Sequence, residues 1–270
     1  MDQPAAALCT GILVDQDLVL TADHCVRVLP LADLTVVFGY YYRDAGVLAI
    51  DDTVDIASIV AEELDSDGTT PRLDYAWLRL RARAPASHLP APIYTQDAPF
   101  DVGTPIISIG AGGGIPLKLD SGGEIRDART DVGDYFVADT DTFGGGSGGG
   151  AFDAQMNLLG ILARGGTDFV ATDAGCNAVV QQPDGSTADE EFTYASRAVE
   201  GLCAKDPTAS SLCRADCGNL CTAIPPPASD GGCSIEGVID GNDRMWPWFL
   251  LLVLPVARRS RRRERTDAIG

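Results

Sequence analysis

The stretch Leu18-Val-Leu-Thr-Ala-Asp-His-Cys25 decides how the rest of the sequence is interpreted. An apolar segment typical of a β-strand runs into a turn of small residues that carries one of only two histidines in the chain. Upstream, Leu8 to Val14 is also apolar, and the polar Asp15-Gln16-Asp17 between the two segments predicts a β-hairpin. A histidine beside a strand is more often structural than catalytic. This stretch alone therefore leaves both roles open for His24, whereas His88 lies in a turn-like segment that predicts a surface position.

A second stretch, Asp141-Thr-Phe-Gly-Gly-Gly-Ser147-Gly-Gly-Gly-Ala-Phe, has the composition of a flexible linker. It is closely flanked, however, by strand-like segments at Tyr135 to Ala138 and Leu158 to Ala163. Glycines inside a compact β pattern allow positive φ angles and close approach of another chain. Backbone N–H groups there can converge on a developing negative oxygen, so we interpret Ser147 as a candidate nucleophile.

A candidate acid is Asp74, in Leu73-Asp74-Tyr-Ala-Trp-Leu-Arg-Leu80. An aspartate before a strand is usually a turn residue, and Asp65 and Asp67 are nearby alternatives in a polar loop. Asp74 alone is followed by an apolar segment that would bury it.

Taken together, the three stretches resemble the trypsin-like (chymotrypsin-class) serine proteases. The family's histidine motif T-A-A-H-C corresponds to Thr21-Ala-Asp-His-Cys25, and its acid motif D-I-A-L-L-x-L corresponds to Asp74-Tyr-Ala-Trp-Leu-Arg-Leu80. Its serine motif G-D-S-G-G corresponds to Gly145-Gly-Ser-Gly-Gly149, and the order along the chain also agrees. The resemblance spans about residues 8 to 166 and looks closest to bacterial members.

The resemblance implies an all-β fold of two six-stranded antiparallel barrels with the active site between them. It implies a catalytic triad of His24, Asp74 and Ser147, and an oxyanion hole formed by the N–H groups of Gly145 and Ser147. It also implies a disulfide between Cys9 and Cys25. Within Gly160 to Gly165, it implies a substrate-pairing strand that includes Ala163 and Gly165. Asp141 corresponds to the base of the primary specificity pocket, where a carboxylate favours Arg or Lys substrates.

Two residues depart from the family pattern. Gly146 replaces the acidic residue before the serine, so the family's zymogen switch is not available to this chain. Asp23 replaces the usual small residue before the histidine.

Composition limits the other functions that the chain can have. A formal net charge of −19 argues against nucleic acid as a partner, because phosphate binding needs clustered basic residues on the folded body. Eight cysteines favour disulfides and an oxidising compartment. Zinc is an alternative for Cys213, Cys217 and Cys221, whose spacing is ligand-like, although no histidine lies near them. We predict no cofactor and no metal.

We divide the chain into a protease domain (1–203), a Cys/Pro-rich linker (204–232) and a C-terminal sorting or anchoring segment (233–270). Only eight residues precede Cys9, and they lack a signal peptide. We therefore expect the first barrel strand to be missing and the N-terminus to be truncated. The last segment combines Cys233, an apolar run at 246–257 and an Arg-rich tail at 258–265, which resembles bacterial sorting signals of the MYXO-CTERM kind. The run is short for a membrane span, and we predict a short helix with membrane contact.

The sequence thus predicts an exported serine endopeptidase, anchored at the cell surface, which hydrolyses protein or peptide substrates through an acyl-enzyme on Ser147. One alternative is a catalytically inactive surface binding protein of the same fold, and another is a structural surface protein whose glycine run is a spacer.

Overall fold

The computed structural model describes residues 3–65, 71–94, 100–172, 175–180, 190–213 and 251–255. The strands are β1 (Cys9–Asp15), β2 (Leu18–Thr21), β3 (Leu34–Phe38), β4 (Tyr41–Asp44), β5 (Val47–Ala49), β6 (Asp52–Leu64), β7 (Asp74–Leu80), β8 (Pro105–Gly110), β9 (Lys118–Asp127), β10 (Tyr135–Ala138), β11 (Gly150–Phe152), β12 (Leu158–Arg164), β13 (Phe169–Ala171), β14 (Asn177–Val179), β15 (Glu190–Tyr194) and β16 (Leu251–Pro255). The helices are α1 (Asp23–Val26) and α2 (Ala195–Lys205), with 3₁₀ turns at Leu31–Asp33, Gly112–Gly114 and Ser211–Cys213.

Twelve of these strands form two closed antiparallel barrels. The first has the order β1-β16-β3-β6-β7-β2, and the second has the order β10-β15-β12-β11-β8-β9. The remaining four strands form two short hairpins, β4 with β5 and β13 with β14. The predicted all-β fold of two six-stranded barrels is confirmed.

The first barrel begins with the hairpin that the sequence predicts. In it, Ile12 pairs with Leu20 and Leu13 with Val19 across β1 and β2, and all four side chains are buried. The fully buried Trp77 packs between this hairpin and α2, and its indole N–H donates to the Ala198 carbonyl at 2.8 Å. A buried indole needs such an acceptor, so this bond fixes the helix on the barrel.

The sixth strand of the first barrel comes from the C-terminal part of the chain. β16 lies between β1 and β3, with Val253 opposite both Cys9 and Val36. The strand belongs to the apolar run that the sequence predicts as a helix, and this part of the prediction is wrong. Short apolar runs do not distinguish strand from helix, and pairing with two open strand edges decides the outcome. The barrel is therefore closed without a strand before Cys9. Within the described residues, no helix is long and apolar enough to cross a membrane.

The second barrel has an aromatic core. Phe136 stacks on Phe192 with ring centroids 5.3 Å apart and contacts Tyr194 edge-on.

Asp134, the residue before β10, is fully buried and accepts hydrogen bonds from three groups. The donors are the Arg129 side chain (2.8 Å), the Arg72 amide and the Tyr135 amide. Burial alone would raise the pKa of Asp134, but these hydrogen bonds lower it overall. The ionised Asp134 therefore stabilises the folded chain.

Two disulfides are present among the described cysteines. Cys9–Cys25 joins β1 to α1, which confirms the predicted pair, and Cys203–Cys213 ties the chain after α2 back to that helix. Because Cys213 is consumed in a disulfide, the zinc alternative loses one of its ligands. Cys176 is a free, exposed thiol. The other cysteines, most of the predicted linker and the Arg-rich tail lie outside the described residues.

Candidate active site

Asp74 is the first residue of β7 and is only 2% exposed. Its Oδ1 accepts hydrogen bonds from the backbone amides of Asp23 (2.7 Å) and His24 (3.2 Å). Its Oδ2 lies 2.7 Å from the Nδ1 of His24. A buried carboxylate can only accept here, so the imidazole donates through Nδ1–H and keeps the lone pair on Nε2. This is the tautomer that a general base needs.

His24 lies in the one-turn helix α1, whose position is fixed from two sides. The Cys9–Cys25 disulfide binds the turn to β1, and the Asp74 carboxylate holds its first two amides. The imidazole is 37% exposed, and its Nε2 lies 3.7 Å from the Cys25 sulfur. A disulfide sulfur has no proton to donate, so this is a packing contact that leaves Nε2 free to accept a proton. Cys9, His24 and Cys25 also lie close enough to hold a metal, but the disulfide removes both thiolate ligands.

Ser147 lies in the loop between β10 and β11, and this loop contacts the turn that carries His24. The Ser147 carbonyl accepts a hydrogen bond from the Thr10 amide at 2.7 Å. The following residue, Gly148, has φ +78°, and a Cβ there would lie 3.1 Å from the Ala22 amide and overlap Thr10. Only glycine allows this approach of the serine loop to the histidine turn. Within the described part of the chain, the Ser147 hydroxyl makes no hydrogen bond, so its contact with the imidazole is not formed in this structure.

The serine loop presents two backbone donors. The loop is closed by a hydrogen bond from the Gly146 amide to the Phe143 carbonyl at 2.8 Å, and the Gly144 carbonyl accepts from Gly113 at 2.7 Å. In contrast, the N–H groups of Gly145 and Ser147 have no hydrogen-bond acceptor among the described residues. Gly145 has φ +93°, a conformation that disfavours any side chain. Two unpaired amides beside a serine hydroxyl are the donors that an oxyanion hole requires.

A cavity of about 280 Å³ opens beside Ser147, bounded by the serine loop and by the end of β12. The predicted substrate residues Ala163 and Gly165 both line it. Asp141 does not line it: its amide donates to Asp120 at 2.9 Å, and its exposed side chain borders a separate cavity of about 300 Å³. The cavity beside Ser147 instead contains Asp168 and Glu190, which sequence reasoning missed because no local motif surrounds them.

Asp23, the residue before His24, is fully buried. Its side chain pairs with the Arg27 guanidinium, while its Oδ1 has no hydrogen-bond partner within the described ranges. Burial raises the pKa of Asp23, although Arg27 acts in the opposite direction. The Asp23 carboxylate therefore stabilises α1 by pairing with Arg27 at the end of the helix. The backbone amide of Asp23 donates to Asp74.

Two closed barrels, a buried Asp–His pair and a glycine-rich serine loop define the class of two-barrel, trypsin-like proteins. The sequence profile described as Trypsin-like peptidase domain matches residues 9–161, more than half of the chain, and the chain belongs to this family. A search of curated protein sequences finds no match. Among solved structures, the chain is similar to the crystal structure of the inactive form of Rv3671c from M. tuberculosis H37Rv, with 18% identity and a TM-score of 0.47. That match covers 74% of this chain and 82% of the other.

Proposed function

We propose that this protein is a serine endopeptidase whose triad is His24, Asp74 and Ser147. Membership of a trypsin-like peptidase family supports a serine protease that acts on proteins or peptides. The observation that carries the residue assignment is the 2.7 Å contact between the buried Asp74 carboxylate and the Nδ1 of His24. This contact leaves Nε2 as the basic nitrogen, on a turn packed against the serine loop.

In the proposed reaction, the Ser147 oxygen attacks the substrate carbonyl carbon while its proton passes to the Nε2 of His24. The negative charge that develops on the carbonyl oxygen is held by the N–H groups of Gly145 and Ser147. The imidazolium then gives its proton to the leaving amine as the carbon–nitrogen bond breaks, which leaves an acyl group on Ser147. Water repeats the sequence and releases the acid. Asp74 keeps the imidazole in the required tautomer and stabilises its charged form.

One step must precede this chemistry, because the Ser147 hydroxyl is not hydrogen-bonded to His24 in the free protein. Such hydrogen bonds are often long before substrate binds and tighten only in the complex with substrate. The same observation favours the second candidate, an inactive binding protein of this fold, if the contact never forms.

Hydrolysis of a fluorescence-quenched casein separates the two candidates. We expect wild-type protein to release fluorescence and Ser147→Ala to release none, with both variants showing the same thermal unfolding. Activity must also fall on acidification, because a protonated imidazole cannot accept the serine proton. Binding of casein without cleavage by folded wild-type protein contradicts the proposal and supports the binding function, and full activity at about pH 4 contradicts His24 as the base.

We further propose that the protein is exported and attached to the cell surface. Two disulfides, Cys9–Cys25 and Cys203–Cys213, are typical of an oxidising compartment. Membrane contact through residues 246–257 requires β16 to leave the first barrel, since β16 is paired there with both β1 and β3. Protease shaving of intact producing cells tests the location: loss of the protein supports surface exposure, and protection until lysis contradicts it.

A further inference from the structure

The Gly145 N–H, one of the two donors of the proposed oxyanion hole, belongs to the peptide unit that also contains the Gly144 carbonyl. A trans peptide unit is planar, and its C=O and N–H point in opposite directions. The Gly144 carbonyl accepts a hydrogen bond from the Gly113 amide at 2.7 Å. This bond therefore fixes the direction of the Gly145 N–H, which points away from Gly113.

The turn Gly112–Gly114, between β8 and β9, packs so closely on the serine loop that the two must move together. A Cβ built on Gly145 would lie 3.0 Å from the Gly114 nitrogen, and a Cβ on Gly112 would lie 2.9 Å from the Cβ of Phe143. Both distances are shorter than the roughly 3.5–4.0 Å of an ordinary carbon contact. A displacement of the turn is therefore passed directly to the peptide unit that carries the Gly145 N–H.

The Gly114 carbonyl is the point at which other parts of the chain hold this turn. It accepts hydrogen bonds from the amides of Ala6 (2.8 Å) and Ala7 (3.0 Å), in the segment before β1. The Tyr40 hydroxyl lies 3.3 Å from the same carbonyl and 2.8 Å from the Pro4 carbonyl, and it donates to both. Tyr40 thus joins the segment of residues 4–7 to the turn behind the serine loop.

Tyr40 acts on this turn from inside the protein. It is only 1% exposed, packs with Val37 and Ala111, and does not line the cavity beside Ser147. Burial raises the pKa of its hydroxyl, so the group stays protonated and remains a donor. Any effect of Tyr40 on the reaction must therefore pass through the groups to which its hydroxyl is bonded.

We propose that Tyr40 is a positioning residue for the oxyanion hole, which acts through residues 4–7 and the turn Gly112–Gly114 to hold the Gly145 N–H in its orientation. This inference rests on the proposed peptidase function. The negative charge on the substrate oxygen develops only in the transition state, so loss of the Tyr40 hydroxyl should lower kcat and leave KM nearly unchanged.

The first test compares Tyr40→Phe with Tyr194→Phe in casein-derived peptide hydrolysis. Tyr194 is the matched control, because it is also buried and its hydroxyl donates to a backbone carbonyl, that of Ala128 at 2.7 Å, in the second barrel. We expect Tyr40→Phe to lose about tenfold in kcat, less than the 10²–10³-fold that removal of a whole oxyanion donor costs. Tyr194→Phe should keep the wild-type kcat, and both variants should keep the wild-type pH profile, because the contact between His24 and Asp74 is untouched. A kcat of Tyr40→Phe within about twofold of wild type, an equal loss in Tyr194→Phe, or a shifted pH profile overturns the inference.

A second pair of variants leaves the core intact and decides the matter if Tyr40→Phe does not fold. Ala6→Pro removes the N–H that donates to the Gly114 carbonyl, since proline has no amide proton. Ala5→Pro is its control, because the Ala5 amide makes no hydrogen bond within the described residues and both side chains are exposed. We expect kcat to fall in Ala6→Pro and not in Ala5→Pro. A wild-type kcat in Ala6→Pro, or the same loss in both variants, contradicts the role of residues 4–7.

A third measurement reports on the oxyanion hole itself. The inhibitors are the aldehyde and the alcohol of a casein peptide that wild-type protein cleaves. The serine oxygen adds to the aldehyde carbon, the serine proton passes to His24, and the former carbonyl oxygen takes the negative charge. The alcohol cannot form this adduct. We expect Tyr40→Phe and Ala6→Pro to bind the aldehyde more weakly, by about the factor lost in kcat, and to bind the alcohol as wild type does. Unchanged aldehyde affinity overturns the role of Tyr40 while the peptidase function stands, whereas a folded wild-type chain that cleaves no casein overturns the proposed function and this inference with it.

Discussion

The hydrogen-bond pattern around Asp74 predicts the effect of Asp74→Asn in detail. The carboxylate has two oxygens that face different donors, two backbone amides on one side and the imidazole on the other. An asparagine oxygen facing the amides preserves both of those bonds. The reverse orientation would set an NH₂ group against two buried N–H donors and cost about 1–3 kcal/mol for each unsatisfied group. The asparagine NH₂ must therefore face His24.

This orientation inverts the tautomer of His24. An NH₂ group donates to Nδ1, so the imidazole proton moves to Nε2 and the lone pair that would accept the serine proton is lost. The negative charge that stabilises the imidazolium is lost as well. In the general triad, this change costs about 10⁴-fold in kcat, or about 5.5 kcal/mol at 1.36 kcal/mol per tenfold change in rate. We expect a loss of this size with little change in KM, since Asp74 is buried and out of reach of the substrate.

The assay is steady-state hydrolysis of an Arg-containing peptide by wild-type and Asp74→Asn protein. Circular dichroism and thermal unfolding show whether the variant is folded, and Asp141→Asn controls for removing one negative charge near the serine loop. A folded Asp74→Asn variant with a rate within about threefold of wild type would refute the reasoning, because no tautomer-dependent base could then be involved.

Three further predictions concern the scaffold of the site. Gly148→Ala forces a side chain into a positive-φ position against the first barrel. We expect this variant to lose activity and to lose about 2 kcal/mol or more of unfolding free energy, measured by urea unfolding. An unchanged unfolding free energy contradicts the close approach of the serine loop to this barrel. Asp134→Asn should lower the unfolding free energy at pH 7 by about 2 kcal/mol by weakening the pair with Arg129. The folded pKa of Asp134 lies below its ordinary value of 3.8. The stabilisation that Asp134 provides is therefore present above that value and is lost as the pH falls through the folded pKa. The difference in unfolding free energy between wild type and Asp134→Asn should shrink on acidification, and a difference that does not depend on pH contradicts this prediction. A chain that ends at Cys213 lacks β16 and exposes two strand edges, and it should unfold at lower urea than a chain that ends at Pro255; equal midpoints contradict the role of β16.

Much of the fold is predictable because its strands are locally apolar. The segment Tyr135–Ala138 has the bounds that the sequence predicts, and the predicted hairpin is formed by β1 and β2. β9, in contrast, is not predicted, because Lys118–Asp127 is polar and contains two glycines. It becomes a strand because β8 and β10 pair with it on both sides, and no local pattern reports such pairing.

The candidate site divides in the same way. Asp74 is predictable because the apolar residues that follow it bury its carboxylate. Ser147 is predictable because the glycines around it indicate positive φ angles and a close approach of another part of the chain. Glu190 is not predictable, because only the fold places it against Gly165, 25 residues earlier in the chain, in the lining of the cavity beside Ser147. The place of Asp141 is also a tertiary property, since Asp120 holds its amide and sets it beside a different cavity. Asp141 and Glu190 have the same charge, and the fold alone brings one of them to the cavity that Ser147 lines.

The central claim is that Ser147 is a nucleophile activated by His24, and covalent labelling tests it most directly. Full-length protein is treated with a fluorophosphonate, and the mass of the intact chain and of the peptide that contains Ser147 is measured. We predict one adduct per chain, located on Ser147, with none in Ser147→Ala and much slower labelling in His24→Ala. A folded wild-type chain that gains no adduct, or an adduct that persists in Ser147→Ala, would contradict the account.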